Sequence, residues 1–399
     1  MAIIVFLLLV ATGGSLRALE VKSIQQFMSN AVFDAWNRDR NELLIMRKDD
    51  SGILQLYLVN EHARDPEAEM KCLSCRPPAR AIGIDGTMIP SVHKGASDWH
   101  PSGEWFVTEV EIPHNISWKY EKTLPGTRLL AEPGAGWWNN LFLVKRDGTL
   151  WVRLTDLKST DLDGGVLYPK LSADGRLIAW GQRIGGARPF RRYPFAQWVL
   201  KIARLDLDSQ PPRLRDIRTH SVRDGSIFEP QQWSSDNRLL FAADIGYSEL
   251  PYAAYRIDVW EAKVDGEGRI SDLRNLTATP GFYEEQASYS PDEARIAVMA
   301  NRFDLGYEKR LVNAWRQFGD AKGFITLNLL TDLYLMDRSG RILDRITRFA
   351  EQTTPGEHLL VTRSGWSKDG KRLVVYLTRR SNITGKKTGE SIYRIELST

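Results

Sequence analysis

Short apolar segments alternate with polar turns along the whole chain, and the alternation repeats as a unit. In each unit one apolar segment ends, a short phrase containing Ser, Asp or Gly follows, and a second apolar segment begins. One copy is Trp366-Ser367-Lys368-Asp369-Gly370 before the run Leu373 to Tyr376. The copies begin at Trp36, Trp99, Leu171, Trp233, Tyr289 and Trp366. Repetition on this scale predicts a repeat architecture before any single residue is interpreted.

The turn chemistry of the repeat predicts four antiparallel strands in each unit. Asp-Gly type pairs favour tight turns between two strands. A second glycine turn follows in several units, such as Arg146-Asp147-Gly148, and leads into a last strand. Six such units predict an all-β fold, a six-bladed β-propeller. A β-sandwich with Greek-key links is the alternative, but sandwiches do not repeat a whole four-strand unit.

The two ends of the repeated region are predicted to complete one blade together. The last unit runs out after its third strand, at Ile392 to Leu397. An unfinished blade would leave a sheet edge exposed. The segment from Leu19 to Phe27 precedes the first unit, so we predict that it supplies the missing strand and closes the ring. A short helix lying under the propeller is the alternative.

The Trp-Ser-Pro-Asp-Gly-like phrase, with Leu333 to Asp337 and Arg345 to Thr347 downstream, resembles the WD40-like (PD40) repeats of the TolB propeller family. The resemblance covers nearly all of the chain after residue 18. It implies a TolB-like six-bladed propeller. It does not imply one function, because this architecture hosts many unrelated activities.

Two domains that accompany such propellers in related proteins are not expected here. The namesake of the family carries an N-terminal α/β domain, and prolyl oligopeptidase-type enzymes carry an α/β-hydrolase after a similar propeller. The repeats leave no segment of this chain for either domain. The sequence also contains no Gly-x-Ser-x-Gly nucleophile elbow, which argues against a serine hydrolase.

The N-terminus predicts export. An apolar run from Ile3 to Ala11 is followed by small residues and Leu16-Arg17-Ala18, which resembles a secretory signal peptide although no Lys or Arg precedes the run. The run is too short to span a membrane as a stable helix. We therefore predict a signal peptide at 1–18, a propeller domain at 19–399 and a periplasmic or secreted location. An uncleaved anchor is the alternative.

Composition adds three constraints. The chain has 13 Trp, 13 Tyr and 14 Phe, as half-buried strands favour. Its formal net charge of +4 gives no support for binding nucleic acid through bulk charge. Its two cysteines, Cys72 and Cys75, can form a local disulfide only if the chain turns at Leu73-Ser74, and inert thiols or a metal site are the alternatives.

Long aromatic loops predict a binding surface on one face of the propeller. Connections between the second and third strands of each blade emerge on one face, the loop face. Turns between the first and second strands emerge on the opposite face, the turn face, and are short here. Aromatic and arginine side chains are favoured in recognition surfaces. The candidate ligand-binding residues are Trp118, Trp137, Trp138, Arg191, Arg192, Tyr193, Tyr252, Tyr307 and Trp315.

These loops favour a non-catalytic protein that binds an envelope protein, a peptide or a polysaccharide through its loop face. A scaffold that uses its outer blade edges is an alternative. We predict a monomer with no cofactor and no nucleic-acid partner.

A second set of candidates is predicted just upstream of the first strands, near the mouth of the central channel. Polar groups that converge there can bind an ion, a sugar or a chain terminus. Two carboxylates facing each other, about 5 to 9.5 Å apart, would instead support a carbohydrate-active propeller, a glycoside hydrolase or lyase. His93 and His100 lack a carboxylate partner in the sequence pattern, so we predict no metal site. The channel-mouth candidates are His93, Asp98, Tyr168, Glu229, Glu284, Glu285 and Arg363.

Overall fold

Six antiparallel sheets form the molecule in a computed structural model. The first strand of each sheet contacts the first strands of both neighbouring sheets, so that these strands surround a central channel. This is the predicted six-bladed β-propeller. The structure describes residues 19–112, 131–157, 164–185, 196–221, 225–247, 255–318, 329–352, 356–381, 383–384 and 386–398, the side chains of 314–318 excepted.

Each blade has its strands in chain order from the channel outward, apart from the outermost strand of the second and of the sixth blade. The first three blades contain β2 Val32–Asn37, β3 Glu42–Lys48, β4 Leu54–Asn60 and β5 Lys71–Cys72; β7 Lys94–Trp99, β8 Trp105–Glu111, β9 Asn139–Lys145 and β10 Leu150–Arg153, with β6 Arg80–Ile82 added in parallel to β10; and β11 Val166–Leu171, β12 Leu177–Gly185, β13 Gln197–Asp206 and β14 Arg213–His220. The last three contain β15 Phe228–Trp233, β16 Arg238–Ala243, β17 Asp258–Val264 and β18 Ile270–Asn275; β19 Glu284–Tyr289, β20 Arg295–Ala300, β21 Asp332–Asp337 and β22 Ile342–Arg345; and β23 Glu357–Trp366, β24 Arg372–Ser381 and β25 Lys387–Ser398, with β1 Glu20–Ser29 outermost.

Strand β1 closes the ring. It pairs antiparallel with β25, so the N-terminal segment completes a blade whose other three strands come from the C-terminal region. The register places Ile24 opposite Ile395 and Met28 opposite Ile392. The predicted closure is confirmed, and the alternative helix is not formed by this segment.

The repeated phrase forms the turn between the first and second strands. In the sixth blade the Ser367 hydroxyl donates to Asp369 Oδ1 at 2.6 Å and accepts the backbone N–H of Arg372 at 2.9 Å. Gly370 lies between them at φ 69°, a backbone region that glycine enters without strain. The same serine-aspartate bond recurs in three other blades, at Ser172, Ser234 and Ser290. The most regular part of the sequence therefore encodes the turn.

The signature tryptophans join neighbouring blades. Trp366 donates its indole N–H to the carbonyl of Ser288 at 3.2 Å, and Trp233 donates to the carbonyl of Lys170 at 3.0 Å. Each bond crosses to the preceding blade. Buried tryptophan rings supply large apolar contact, and a buried indole N–H is stabilised by such a partner. The hydrophobic core consequently lies between blades, where their faces pack together.

Every first strand contains a β-bulge two to four residues before its signature residue. Register shifts occur in all six pairs of first and second strands. At three of the bulges a non-glycine residue has positive φ: Ala96 at 50°, Tyr168 at 48° and Gln286 at 56°. Bulges redirect side chains and bend the strand. Here they alter which side chains face the channel.

Helices and the disulfide are minor elements. Among the described residues the helices are α1 Pro66–Glu69 and α2 Tyr307–Phe318, with 3-10 turns at Gly86–Ser91 and Phe349–Glu351. Within the described ranges, no helix is long and apolar enough to cross a membrane. Cys72 and Cys75 form a disulfide, with their Cα atoms 5.8 Å apart. Of the three possibilities left by the sequence, the local disulfide is therefore present, and not inert thiols or a metal site.

Candidate functional site

Four of the predicted channel-mouth residues interact around the central channel. Glu229 and Glu285 occupy equivalent positions near the start of β15 and β19, and Tyr168 and Arg363 come from β11 and β23. The charges of Glu229, Glu285 and Arg363 all act on the Tyr168 hydroxyl. These four residues, with Tyr283 just before β19, form the site described below.

Glu229 and Glu285 form a hydrogen-bonded carboxyl pair, here called the acid pair. The Tyr283 hydroxyl donates to Glu285 as well. Burial raises the pKa of Glu285 to about 7, and burial together with the neighbouring charge of Glu285 raises the pKa of Glu229 well above its usual range. Two carboxyl groups in contact cannot both ionise easily. As the pH rises through about 7, the acid pair therefore passes from two protons to one shared proton and one negative charge.

Arg363 is held between the blades that meet at ring closure. Its Nη1 donates to Asp34 Oδ1 at 3.1 Å, and its guanidinium lies 5.0 Å from the centre of the Tyr168 ring. Asp34 Oδ1 also accepts the backbone N–H of Ser97 at 2.8 Å, so the carboxylate links three blades. The charge of Arg363 thus acts on Asp34, with which it pairs, and also on the acid pair, where it favours the ionised forms of Glu229 and Glu285.

Glu109 supports the site from the second strand of its blade. It is completely buried, and its two oxygens accept the backbone N–H groups of Tyr168 at 2.8 Å and Gly134 at 3.1 Å. Burial nevertheless outweighs these two bonds and raises the pKa of Glu109 to about 8. The residue fixes the bulged backbone at Tyr168 and thereby the position of the Tyr168 ring.

The remaining channel-mouth candidates lie elsewhere. Glu284 points away from its neighbour Glu285, is completely buried, and pairs with Arg302. His93 is buried, and its Nδ1 accepts the backbone N–H of Leu54 at 3.0 Å. Asp98 lies toward the turn face and accepts the backbone N–H of Leu171 at 2.8 Å. In the described part of the chain, no three His, Cys, Asp or Glu side chains are grouped so that they could hold a metal ion.

Three of the predicted loop-face aromatics are buried. Trp137 and Trp138 are 6% and 1% exposed and pack edge to face, with ring centres 5.5 Å apart. The Arg183 guanidinium lies 4.1 Å from the centre of the Trp137 ring. Tyr307 is buried as well, and its hydroxyl donates to the carbonyl of Tyr255 at 3.4 Å. These rings pack the loops onto the blades instead of forming the outer surface.

The other loop-face candidates remain predictions. Trp315 belongs to α2, whose side chains beyond residue 313 are not described. Five of them lie outside the described residues: Trp118, Arg191, Arg192, Tyr193 and Tyr252.

The acid pair predicts that the folded protein loses stability as pH rises. Both carboxyl pKa values are raised above that of an unfolded-chain glutamate, so between about pH 4.5 and 7 the folded state binds more protons than the unfolded state. The free energy of unfolding consequently falls across this window as pH increases. Glu285→Gln keeps an acceptor for Glu229 and Tyr283 but removes the second charge. We expect it to recover on the order of 1–3 kcal/mol of this loss at pH 7.

Denaturant unfolding at several pH values measures this slope for wild type and Glu285→Gln. Glu104→Gln is the matched control, because Glu104 is an exposed carboxylate in a turn-face turn. If the free energy of unfolding fell with pH at the same slope in wild type and Glu285→Gln, the acid pair would not share a proton.

Comparisons with known proteins concern the fold. No protein-family model matches the sequence, and no match was found among curated proteins. A luciferin-regenerating enzyme aligns with 94% of this chain and 95% of its own, at 12% identity and a TM-score of 0.50. A putative TolB from Agrobacterium tumefaciens aligns with 93% of this chain and 91% of its own, at 12% identity and 0.49. An oligogalacturonate lyase in complex with manganese aligns with 96% of both chains, at 10% identity and 0.45. At 12% identity the likeness to the luciferin-regenerating enzyme concerns the fold alone and assigns no function.

Proposed function

We propose that this protein is an exported, non-catalytic binding protein whose ligand is a protein or peptide bearing a positively charged group. That group enters the mouth of the central channel and contacts the acid pair, while the loop face holds the rest of the ligand. The observation that carries the proposal is the acid pair itself. It lies in the channel, and Arg363, the described cation that acts on it, is shared with Asp34.

Charge at the channel mouth supports a cationic ligand. Arg363 is the one cation near the acid pair among the described residues, and its hydrogen bond to Asp34 already offsets its charge. Glu109, with a pKa of about 8, is largely uncharged near neutral pH. The mouth is therefore acidic, although the whole chain carries a formal charge of +4. Such a local field favours a positive group over a neutral or negative one.

Aromatic groups beside the acid pair also suit a cation. Tyr283 donates its hydroxyl to Glu285, and Tyr168 already binds the Arg363 guanidinium on its ring. Tyrosine faces attract ammonium and guanidinium groups within about 6 Å. A peptide amino terminus or a lysine side chain suits this site, because it supplies several N–H donors for the carboxyl oxygens and a compact positive charge for the tyrosine rings.

A carbohydrate-active enzyme is the second candidate. Its support is the raised pKa of Glu229, since a general acid must hold its proton near neutral pH. The pairing argues against it, because Glu229 and Glu285 are hydrogen-bonded to each other. Glycosidases of both stereochemical classes hold their carboxyl groups about 5 to 9.5 Å apart, with substrate or water between them. Release of reducing or unsaturated ends from polysaccharides, abolished in Glu229→Gln, would establish this function instead.

A peptide-binding experiment tests the proposal. A random peptide library with free amino termini is selected on wild-type protein, and the dissociation constants of selected peptides are measured by fluorescence anisotropy. We expect amino-terminal acetylation, or Glu229→Gln with Glu285→Gln, to weaken binding at least about tenfold, or about 1.4 kcal/mol. Glu104→Gln on the turn face should change nothing. Selected peptides that bind all these variants equally would refute the proposal.

A further inference from the structure

The disulfide between Cys72 and Cys75 lies at the rim of the propeller, away from the acid pair. Cys72 ends β5, the outermost strand of the first blade, where it pairs with Tyr57 on β4. Cys72 is half-buried, whereas Cys75 is exposed. Exposed disulfides exchange with thiols more readily than buried ones. Cys75 is therefore the half of this bond that a thiol in solution reaches first.

The turn that carries the disulfide is held by contacts that do not depend on the bond. The Leu73 N–H donates to the carbonyl of Leu56 at 2.8 Å. The Ser74 hydroxyl accepts the Leu56 N–H at 2.9 Å and donates to Gln55 Oε1 at 2.7 Å. Leu73 and Ser74 are 6% and 0% exposed. Reduction would thus leave the two sulfurs close together on an intact turn.

The spacing of the two cysteines makes the bond a weak staple for the fold. A bridge between residues three apart constrains only one turn of the unfolded chain, and the shortest loops gain least from closure. The bond joins no two blades, and the ring is closed elsewhere, by β1 on β25. The fold consequently depends little on whether the bond is intact.

Hydrogen-bond donors lie beside both sulfurs. The Cys75 backbone N–H donates to Cys72 Sγ at 3.0 Å, and the Tyr57 hydroxyl lies 3.6 Å from Cys75 Sγ. Donors in these positions stabilise the negative charge that a sulfur acquires when the bond is cleaved. Lys71 and Arg76, which flank the motif in the sequence, are both basic. These surroundings favour cleavage with the electron pair on Cys72.

We propose that Cys72–Cys75 is a redox-active disulfide that exchanges with dithiols. A thiolate of the dithiol attacks Cys75 Sγ, the bond to Cys72 breaks, and its electron pair leaves on Cys72 Sγ beside the Cys75 N–H. The second thiolate of the dithiol then attacks its own partner sulfur in the mixed disulfide and releases Cys75. The dithiol is oxidised to a disulfide, and its two electrons and two protons reduce both cysteines. This activity is independent of the proposed function at the acid pair.

Reduction of the folded protein tests the site. The protein is mixed with dithiothreitol or with a reduced thioredoxin-type protein, and maleimide labelling with mass spectrometry counts the free thiols over time. We expect both cysteines to be labelled without denaturant. Reaction with dithiothreitol should be about tenfold faster than that of oxidised glutathione, a linear disulfide without these donors. The thermal midpoint should fall by less than about 5 °C on reduction.

Tyr57→Phe tests the donor beside Cys75. It keeps the ring and removes the hydroxyl, so the equilibrium with dithiothreitol should shift about threefold toward the disulfide. Tyr393→Phe is the matched control, because the Tyr393 hydroxyl binds Gln26 on β1 instead. Its equilibrium should match that of wild type.

Glu285→Gln separates this site from the acid pair. It should be reduced as wild type is, even if it abolishes peptide binding, so either proposal can fail alone. Reaction with both reductants identifies a protein dithiol as substrate, and reaction with dithiothreitol alone identifies a small dithiol. The inference is overturned if reduction requires denaturant, if the bond reacts no faster than oxidised glutathione, if reduction unfolds the propeller, or if Tyr57→Phe and Tyr393→Phe share one equilibrium.

Discussion

Deletion of β1 is expected to abolish the cooperative folding of the propeller. A chain that starts at residue 30 lacks the fourth strand of its last blade. The exposed edge of β25 would carry a row of unpaired backbone groups and the apolar residues Ile392, Ile395 and Leu397, which are now 0–3% exposed. The loss is comparable with the whole stability of a typical domain, about 5–15 kcal/mol. Thermal unfolding followed by circular dichroism, with gel filtration for aggregation, measures it.

The control for this deletion is a chain that starts at residue 19 and keeps β1 whole. It should unfold cooperatively at a thermal midpoint far above that of the shorter chain. Equal midpoints for the two chains would mean that β1 does not hold the ring closed.

Arg363→Met is expected to lower the free energy of unfolding by about 3–5 kcal/mol, which is the second large effect. The substitution leaves the buried carboxylate of Asp34 without its positive partner, at the junction of the first and last blades. When Asp34→Asn is combined with Arg363→Met, the negative charge is removed as well, and the amide oxygen can still accept the Ser97 N–H. The double variant should therefore recover most of the loss. Denaturant unfolding of wild type, both single variants and the double variant gives the coupling energy of the pair.

Additive losses in this cycle would contradict the account, because they would mean that Arg363 and Asp34 act independently. Arg40→Met offers a matched control. Arg40 forms an exposed ion pair with Glu104, and such pairs contribute about 0–1 kcal/mol.

The fold was predictable because its signal is repeated and local. The serine-aspartate turn, exemplified by Ser367 and Asp369, uses short-range hydrogen bonds that any copy of the phrase can form. Closure by β1 followed from counting strands, since the last unit lacked one. Both inferences need only the order of elements along the chain.

The candidate site was predicted only in part, because its geometry depends on burial and on bulges. Glu229 and Glu285 were candidates on position alone, but Glu109, on a second strand, carried no sequence signal. The bulge at Tyr168 determines which backbone N–H meets Glu109. The sequence alone does not show whether an aromatic pair such as Trp137 and Trp138 packs inward or faces solvent.

The most direct test of the central claim is the proton exchange that accompanies binding of a selected free-amino peptide. A cation at the acid pair lowers the pKa of the shared carboxyl group, so a proton must leave. Calorimetry near pH 7, in buffers of different ionisation enthalpy, measures that proton. The account predicts proton release with wild-type protein, and none with Glu285→Gln or with the acetylated peptide. A binding enthalpy that does not depend on the buffer, or equal release from the variant, would place the cation elsewhere.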